Sequence, residues 1–237
     1  IPIESVMSKV WNKKIFEHIQ KDVDKASKDL AEERGACPDA EEYGIKERFS
    51  NKTAIAPTAS ISIICGGTSP GVEPIAANSY THKTLSGSFN VRNRYLEKLL
   101  EKHNKNDDET WSSITTNQGS VSHLDFLTQQ EKDVFKTAFE LDQKWIVELG
   151  ADRTPHISQA QSINIFVPAD IHKKELHQIH FQAWKKGLKS LYYCRSKSIQ
   201  RAENVNDAKL TDVTANVYKS KNKQNEEQEY EECLSCQ

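Results

Sequence analysis

A β-like run, a proline, an amphipathic helix and a second β-like run follow one another within residues 161–194, QSINIFVPADIHKKELHQIHFQAWKKGLKSLYYC. This succession leaves few folds open. Ser162, Ile163, Asn164, Ile165, Phe166 and Val167 alternate in character and are rich in β-branched and aromatic side chains, which is the pattern of a strand. Pro168 stops it, because proline has no N–H to donate to a ladder. Asp170 is placed to cap the next helix, whose Leu176, Ile179, Ala183 and Trp184 recur as one apolar stripe. Gly187 is a natural C-terminal stop, and residues 188–194 read as a second strand ending in Tyr192 and Tyr193. A strand, a helix and a strand joined over this length make a βαβ unit with parallel strands. The expected class is α/β, with two adjacent phenols at the far end of the second strand.

The rest of the chain supplies the layers around that unit. Residues 6–34 read as a helix with an interrupted stripe of Val6, Val10, Phe16, Ile19, Val23 and Leu30, followed by a loop over 35–44. Residues 81–89 are polar and carry no clear pattern. A helix is expected over 91–103, with Val91, Tyr95, Leu96, Leu99 and Leu100 on its buried side, and a charged turn over 104–109. Residues 128–150 read as one strong helix, capped by Thr128 and ended by Gly150. Residues 197–232 hold few large apolar groups, so they cannot offset their ordering entropy and should form a mobile tail. The division is therefore 1–196 as a packed portion and 197–237 as a tail.

Charge and cysteine usage exclude several classes. Lys+Arg 32 against Asp+Glu 34 gives a net charge of -2, which offers no nucleic-acid surface. No apolar run approaches the roughly 20 residues that span a bilayer, and no secretory signal is present, so a cytoplasmic location is expected. Five cysteines are an odd number, which argues against a disulfide framework. The chain begins Ile1-Pro2 without methionine, which suggests a trimmed or incomplete N-terminus.

Three places carry candidate chemistry. Hydroxyls at Thr58, Ser60 and Ser62, beside a possible helix start and the small-residue run 63–74, could hold an anion together with backbone amides; the plainer reading of the residues alone is a hydroxyl-capped turn before a buried apolar segment. Cys233 and Cys236 form a CxxC next to the C-terminus. Cys37, Cys65 and Cys194 are scattered, so four zinc ligands do not assemble, and dithiol redox chemistry is the remaining reading. A flexible leash of about 36 residues spans roughly 30–36 Å, enough for a shuttle between two places. Cys37 alone reads as inert, and His177 and His180, among lysines, read as a solvated helix face, so no metal is expected. Tyr192 and Tyr193 read either as one core and one surface tyrosine or, beside a redox dithiol, as a site of one-electron chemistry.

Four landmarks in this order, ERGACPDA at 33–40, PTASIS with GGTSPGVEP over 57–74, QSINIFV with LKSLYY over 161–193, and the terminal cysteine pair, are similar to the C-terminal part of the large catalytic subunit of class I ribonucleotide reductases of bacteria and their phages. The resemblance implies part of a ten-stranded α/β barrel. It implies that Pro57, Thr58, Ala59, Ser60 and Ile61 hold the substrate diphosphate. It implies that Tyr192 and Tyr193 stack and relay a radical equivalent, and that Cys233 and Cys236 re-reduce the active-site disulfide. Ile61 stands where the family often has a hydroxyl, so backbone amides would carry more of the phosphate. The family's Asn-x-Cys-x-Glu motif is absent, which implies a split or truncated chain partnered by an N-terminal part that carries it. The other implied partners are a di-iron small subunit with its tyrosyl radical, thioredoxin or glutaredoxin as reductant, and a ribonucleoside diphosphate. No cofactor is expected on this chain, and a phage-encoded protein would work in the host cytoplasm. A non-catalytic nucleotide-binding module and a thiol-disulfide oxidoreductase are the alternatives.

Overall fold

The computed structural model describes residues 1–84 and 87–197. The chain is mixed α/β, as expected, and its organising unit is the βαβ segment. Strand β3 (Ile165–Val167) pairs in parallel with β4 (Cys194–Ser196), with Ile165 opposite Cys194. Helix α8 (Lys173–Lys185) crosses between them. On the other side of the same run, Ile55 forms an isolated parallel bridge to Gln161, so the segment through β3 has neighbours on both flanks.

One core lies beneath this unit. Ile163, Ile165 and Val167 project from the strand run into Leu141, Ile146, Val147, Ile179 and Ala183. Side chains two apart share a strand face, which is why alternate residues of SINIFV do this together. Ile146 and Val147 belong to helix α7 (Gln143–Arg153). Its Gly150 is not a stop: the helix continues to Arg153, and a Cβ at Gly150 would meet Ile163 Cδ1 at 2.6 Å. The glycine is there for close approach of helix to strand. Helix α1 (Val6–Arg34) is as expected, capped by Ser5 and closed at Gly35. It lies against α7 through Asn12 Nδ2, which donates to Leu149 O at 3.0 Å.

A second core joins helix α4 (Arg94–Lys102) to α5 (Asp108–Thr116) through Leu96, Leu100, Trp111 and Ile114, and extends to Val121, Leu124 and Leu127. Between α3 (Ala59–Ile64) and α4, strands β1 (Ser79–Thr84) and β2 (Gly87–Arg92) form an antiparallel hairpin. Val91 therefore sits in a strand and α4 starts three residues later, behind an Asn93 cap.

The structure corrects several expectations. The loop at 35–44 contains a short helix, α2 (Pro38–Glu42), started by Pro38 in its first turn. Residues 128–150 are two helices, α6 (Gln129–Val134) and α7. The break is stitched by side chains: Thr137 N–H donates to Glu140 Oε2 at 2.8 Å, and Gln143 Nε2 donates to Ala138 O and Leu141 O. The cap of α8 is His172, not Asp170; its Nδ1 accepts from Lys174 N–H at 3.1 Å. Trp184 is 73% exposed rather than part of the buried stripe. The second strand begins at Cys194, so Tyr192 and Tyr193 lead into it instead of ending it.

Helix α6 carries a complete capping box between Thr128 and Glu131. Hydrogen bonds from the Thr128 amide and hydroxyl, and then from His103, pull Glu131 from its ordinary 4.5 down to about 2. A depressed carboxylate stabilises the fold above its unfolded pKa, and that contribution fades as pH falls from about 4.5 towards 2. Glu131→Gln should flatten that acid limb when urea midpoints are measured across this pH range. An unchanged profile would remove Glu131 from the acid response.

Candidate active site

The chain leaves the sheet at Pro57. Ser162 N–H donates to Ile55 O at 2.9 Å, two residues earlier. Thr58 then adopts the left-handed conformation, φ 51 and ψ 34, and α3 begins at Ala59. The first intrahelical bond is Ser62 N–H to Thr58 O, so the amides of Ala59, Ser60 and Ile61 have no partner within the helix. The three hydroxyls are used differently. Thr58 Oγ1 accepts from Gly71 N–H at 2.7 Å, which leaves its own proton to donate. Ser62 is buried and turns its hydroxyl back to Ala59 O at 2.8 Å, so it is not available to a ligand. Ala59, Ser60 and Ile61 lie exposed.

Beside this loop is a cavity of about 480 Å³. Residues 54–57 and 159–162, hydrogen-bonded side by side through the Ile55–Gln161 bridge, line it together with Ser190 and Tyr192. The structure thus brings Pro57 and Tyr192 to one cavity. The phenol rings of Tyr192 and Tyr193 touch, with centroids 4.1 Å apart and planes at 54°, tilted rather than parallel. Strand alternation does not separate them because they precede β4. Backbone bonds nonetheless fix them against the core strand: Tyr192 N–H donates to Ile163 O at 2.7 Å, and Tyr193 O accepts from Ile165 N–H at 2.9 Å. The Arg195 guanidinium lies 5.6 Å from the Tyr193 ring centre.

The redox pair, Cys233 and Cys236, lies outside the described residues. Cys37 serves as the backbone cap of α2, its carbonyl accepting from Ala40 and Glu41 N–H. His180 Nδ1 lies 2.8 Å from Leu176 O, one turn back, and His177 stacks on Phe181, as surface positions of α8 do.

A buried polar group behind the loop has no counterpart in the sequence reading. Glu73 is 2% exposed, and its Oε1 accepts from Asn164 N–H at 2.5 Å. Arg153 is 5% exposed; its Nε donates to Gln161 Oε1 and its Nη1 to Asn12 Oδ1, each at 3.0 Å. Burial lowers the Arg153 pKa to about 10, while the charges of Glu73 and Asp152 pull it back up. The available signal was a single polar residue inside an apolar run, Glu73 between Val72 and Pro74 and Asn164 between Ile163 and Ile165.

With this geometry in view, the likeness to known proteins can be placed. The family model described as "Ribonucleotide reductase, barrel domain" matches residues 39–194. The ribonucleoside-diphosphate reductase large subunit of Invertebrate iridescent virus 6 is 48% identical over 209 residues, 86% of this chain and 22% of that protein. That of Invertebrate iridescent virus 3 is 44% identical, covering 89% of this chain and 34% of that protein. The solved structure of the Actinobacillus ureae class Id ribonucleotide reductase alpha subunit superposes with a TM-score of 0.76 at 39% identity, over 84% of this chain and 36% of that one. The chain thus spans between about a fifth and just over a third of these relatives. The residues that line the cavity and the tyrosine pair fall within the matched residues, and the chain belongs to the ribonucleotide reductase barrel-domain family.

Proposed function

We propose that this chain contributes to a ribonucleotide reductase large subunit that converts ribonucleoside diphosphates to deoxyribonucleoside diphosphates. The observation that carries this reading is the touching tyrosine pair, whose Tyr192 lines the same cavity as Pro57 at the start of the loop. On this reading residues 57–61 hold the diphosphate through the Thr58 hydroxyl, the Ser60 hydroxyl and the amides of Ala59, Ser60 and Ile61. Tyr192 and Tyr193 pass an oxidising equivalent by losing a proton and an electron together, one phenol re-reduced as the next is oxidised. Ring contact at 4.1 Å keeps that step short.

Reduction of the ribose removes its hydroxyl as water, forms a C–H bond in its place and leaves two cysteine thiols as a disulfide. Cys233 and Cys236 return the two electrons by thiol–disulfide exchange and are themselves reduced by a thioredoxin- or glutaredoxin-type protein. The initiating radical comes from a di-iron small subunit. The cysteine on which it lands belongs to an Asn-x-Cys-x-Glu segment of the large subunit. The chain's own contribution is thus the grip on phosphate, the relay and the dithiol.

The loop gives a direct test. A hydrogen bond is worth about 0.5–1.5 kcal/mol, and up to about 3 kcal/mol to a charged group. Thr58→Ala should therefore weaken binding of a ribonucleoside diphosphate to the assembled enzyme by roughly 3- to 100-fold, with a stability loss of no more than about 0.5–1.5 kcal/mol from the lost Gly71 bond. Calorimetric titration of both forms checks it. Unchanged affinity would take Thr58 out of the phosphate site.

A further inference from the structure

We propose that Glu73 is a positioning residue for the diphosphate loop, its buried carboxylate fastening the turn behind Thr58 to the strand run that bears Asn164. This rests on the reading of residues 57–61 as the diphosphate loop.

In a parallel ladder, N–H groups two residues apart point to the same side. Ser162 N–H uses that side to reach Ile55 O, and Asn164 N–H is the next donor along. Its ladder partner would come from the neighbouring segment at the level of Pro57, where the chain turns away into the left-handed Thr58. Glu73 Oε1 takes the donor instead, at 2.5 Å. A side chain thus replaces a strand carbonyl, and this substitution releases residues 57–61 to leave the sheet beside the cavity.

The same carboxylate reaches the loop from behind. A Cβ on Gly71 would stand 2.8 Å from Glu73 Oε2 and 3.8 Å from Pro57 O, and Gly71 has φ +69. Gly71 N–H is the donor that holds Thr58 Oγ1 at 2.7 Å. Thr58 is β-branched and sits at φ 51, a conformation such residues keep only when their surroundings impose it. Hydrogen bonds therefore tie Asn164 to Glu73 and Gly71 to Thr58, and the two are joined where Glu73 Oε2 occupies the space that a side chain on Gly71 would need. The anchor is firm, since Ile163 and Ile165 on either side of Asn164 are 0% and 1% exposed in the main core. A buried carboxylate needs a balancing charge, and the equally buried Arg153 feels Glu73 electrostatically. The negative charge of Glu73 is partly offset by that guanidinium.

Amide hydrogen exchange on the full chain tests the latch without any activity. In Glu73→Ala, amides of residues 57–71 should exchange about ten-fold faster, while those of α7 and α8 keep their protection. Glu73→Gln, which keeps an acceptor for Asn164 N–H, should restore most of the loop protection. If Glu73→Ala does not fold, Glu73→Leu serves: it fills the buried space without an acceptor for Asn164 N–H and should loosen the same amides. Unchanged loop exchange in a folded variant, or loosening shared by the whole chain, overturns the proposal. In the assembled enzyme, Glu73→Ala should raise KM for a ribonucleoside diphosphate about ten-fold and leave kcat within about three-fold, the signature of lost uniform binding. A fall in kcat at constant KM also overturns it. Absence of reductase activity even in the unsubstituted assembly would count against the proposed function alone, and the exchange result would still decide the latch.

Discussion

Tyr193→Phe is expected to leave the fold intact and to reduce deoxyribonucleotide formation by the assembled enzyme to background, and Tyr192→Phe to do the same. Phenylalanine keeps the ring that makes the 4.1 Å contact but has no O–H to give up. A proton and an electron can then no longer leave together, and a relay with one position silenced has no parallel route. Both tyrosines are 44% exposed, so loss of a hydroxyl should change stability by no more than about 0.5 kcal/mol. The measurement is product formed from a labelled ribonucleoside diphosphate, beside a urea melt of each variant. Turnover at the original rate in either variant would make that tyrosine a packing residue. A melt shifted by several kcal/mol would mean that lost activity says nothing about relay.

The main unit was legible because its burial follows local periodicity. Ile163, Ile165 and Val167 at period two, with Ile179 and Ala183 at helical spacing, name the core that they form. The break between α6 and α7 was not legible. Phe135, Ala138, Leu141 and Trp145 continue a helical spacing across it, whereas the break is held by bonds made only in the folded chain. Gln143 Oε1, for example, accepts from Phe166 N–H at 2.9 Å, across 23 residues of sequence. The β1–β2 hairpin escaped for the opposite reason: β2 is exposed along nearly its whole length, so neither face has to be apolar and no alternation appears. In the candidate site, adjacency of Tyr192 and Tyr193 is a fact of sequence, but their ring contact depends on where β4 starts. Ser62 looked like a ligand hydroxyl on spacing and is instead spent on Ala59 O. Glu73 showed only as a polar residue between Val72 and Pro74, and its role was hidden because its partner is a backbone amide 91 residues away.

The 237-residue chain alone is expected to make no deoxyribonucleotide, and to gain activity when combined with the large-subunit segment that carries Asn-x-Cys-x-Glu, a di-iron small subunit and a dithiol reductant. The described residues form two two-stranded sheets and one isolated bridge, far short of a closed barrel. Helix α1 exposes Val6 at 73%, Met7 at 53%, Trp11 at 49% and Ile15 at 49%. Met7, Trp11 and Ile15 are spaced four apart, so they share a face, and an apolar face of this kind marks a surface that another element covers. Among the described residues no strand pairs with the outer edge of β4, which leaves its backbone donors and acceptors facing outward in the same way. These features call for more of the barrel, and none of Cys37, Cys65 and Cys194 sits in the required Asn-x-Cys-x-Glu setting. The assay combines the four components with a labelled ribonucleoside diphosphate and omits each in turn, while sedimentation follows association. Omission of this chain must remove all product, and the added segment should bring it into a larger species. A monomeric chain that makes deoxynucleotide by itself would mean that the radical-accepting thiol lies among its own five cysteines, and the division of labour argued here would be wrong.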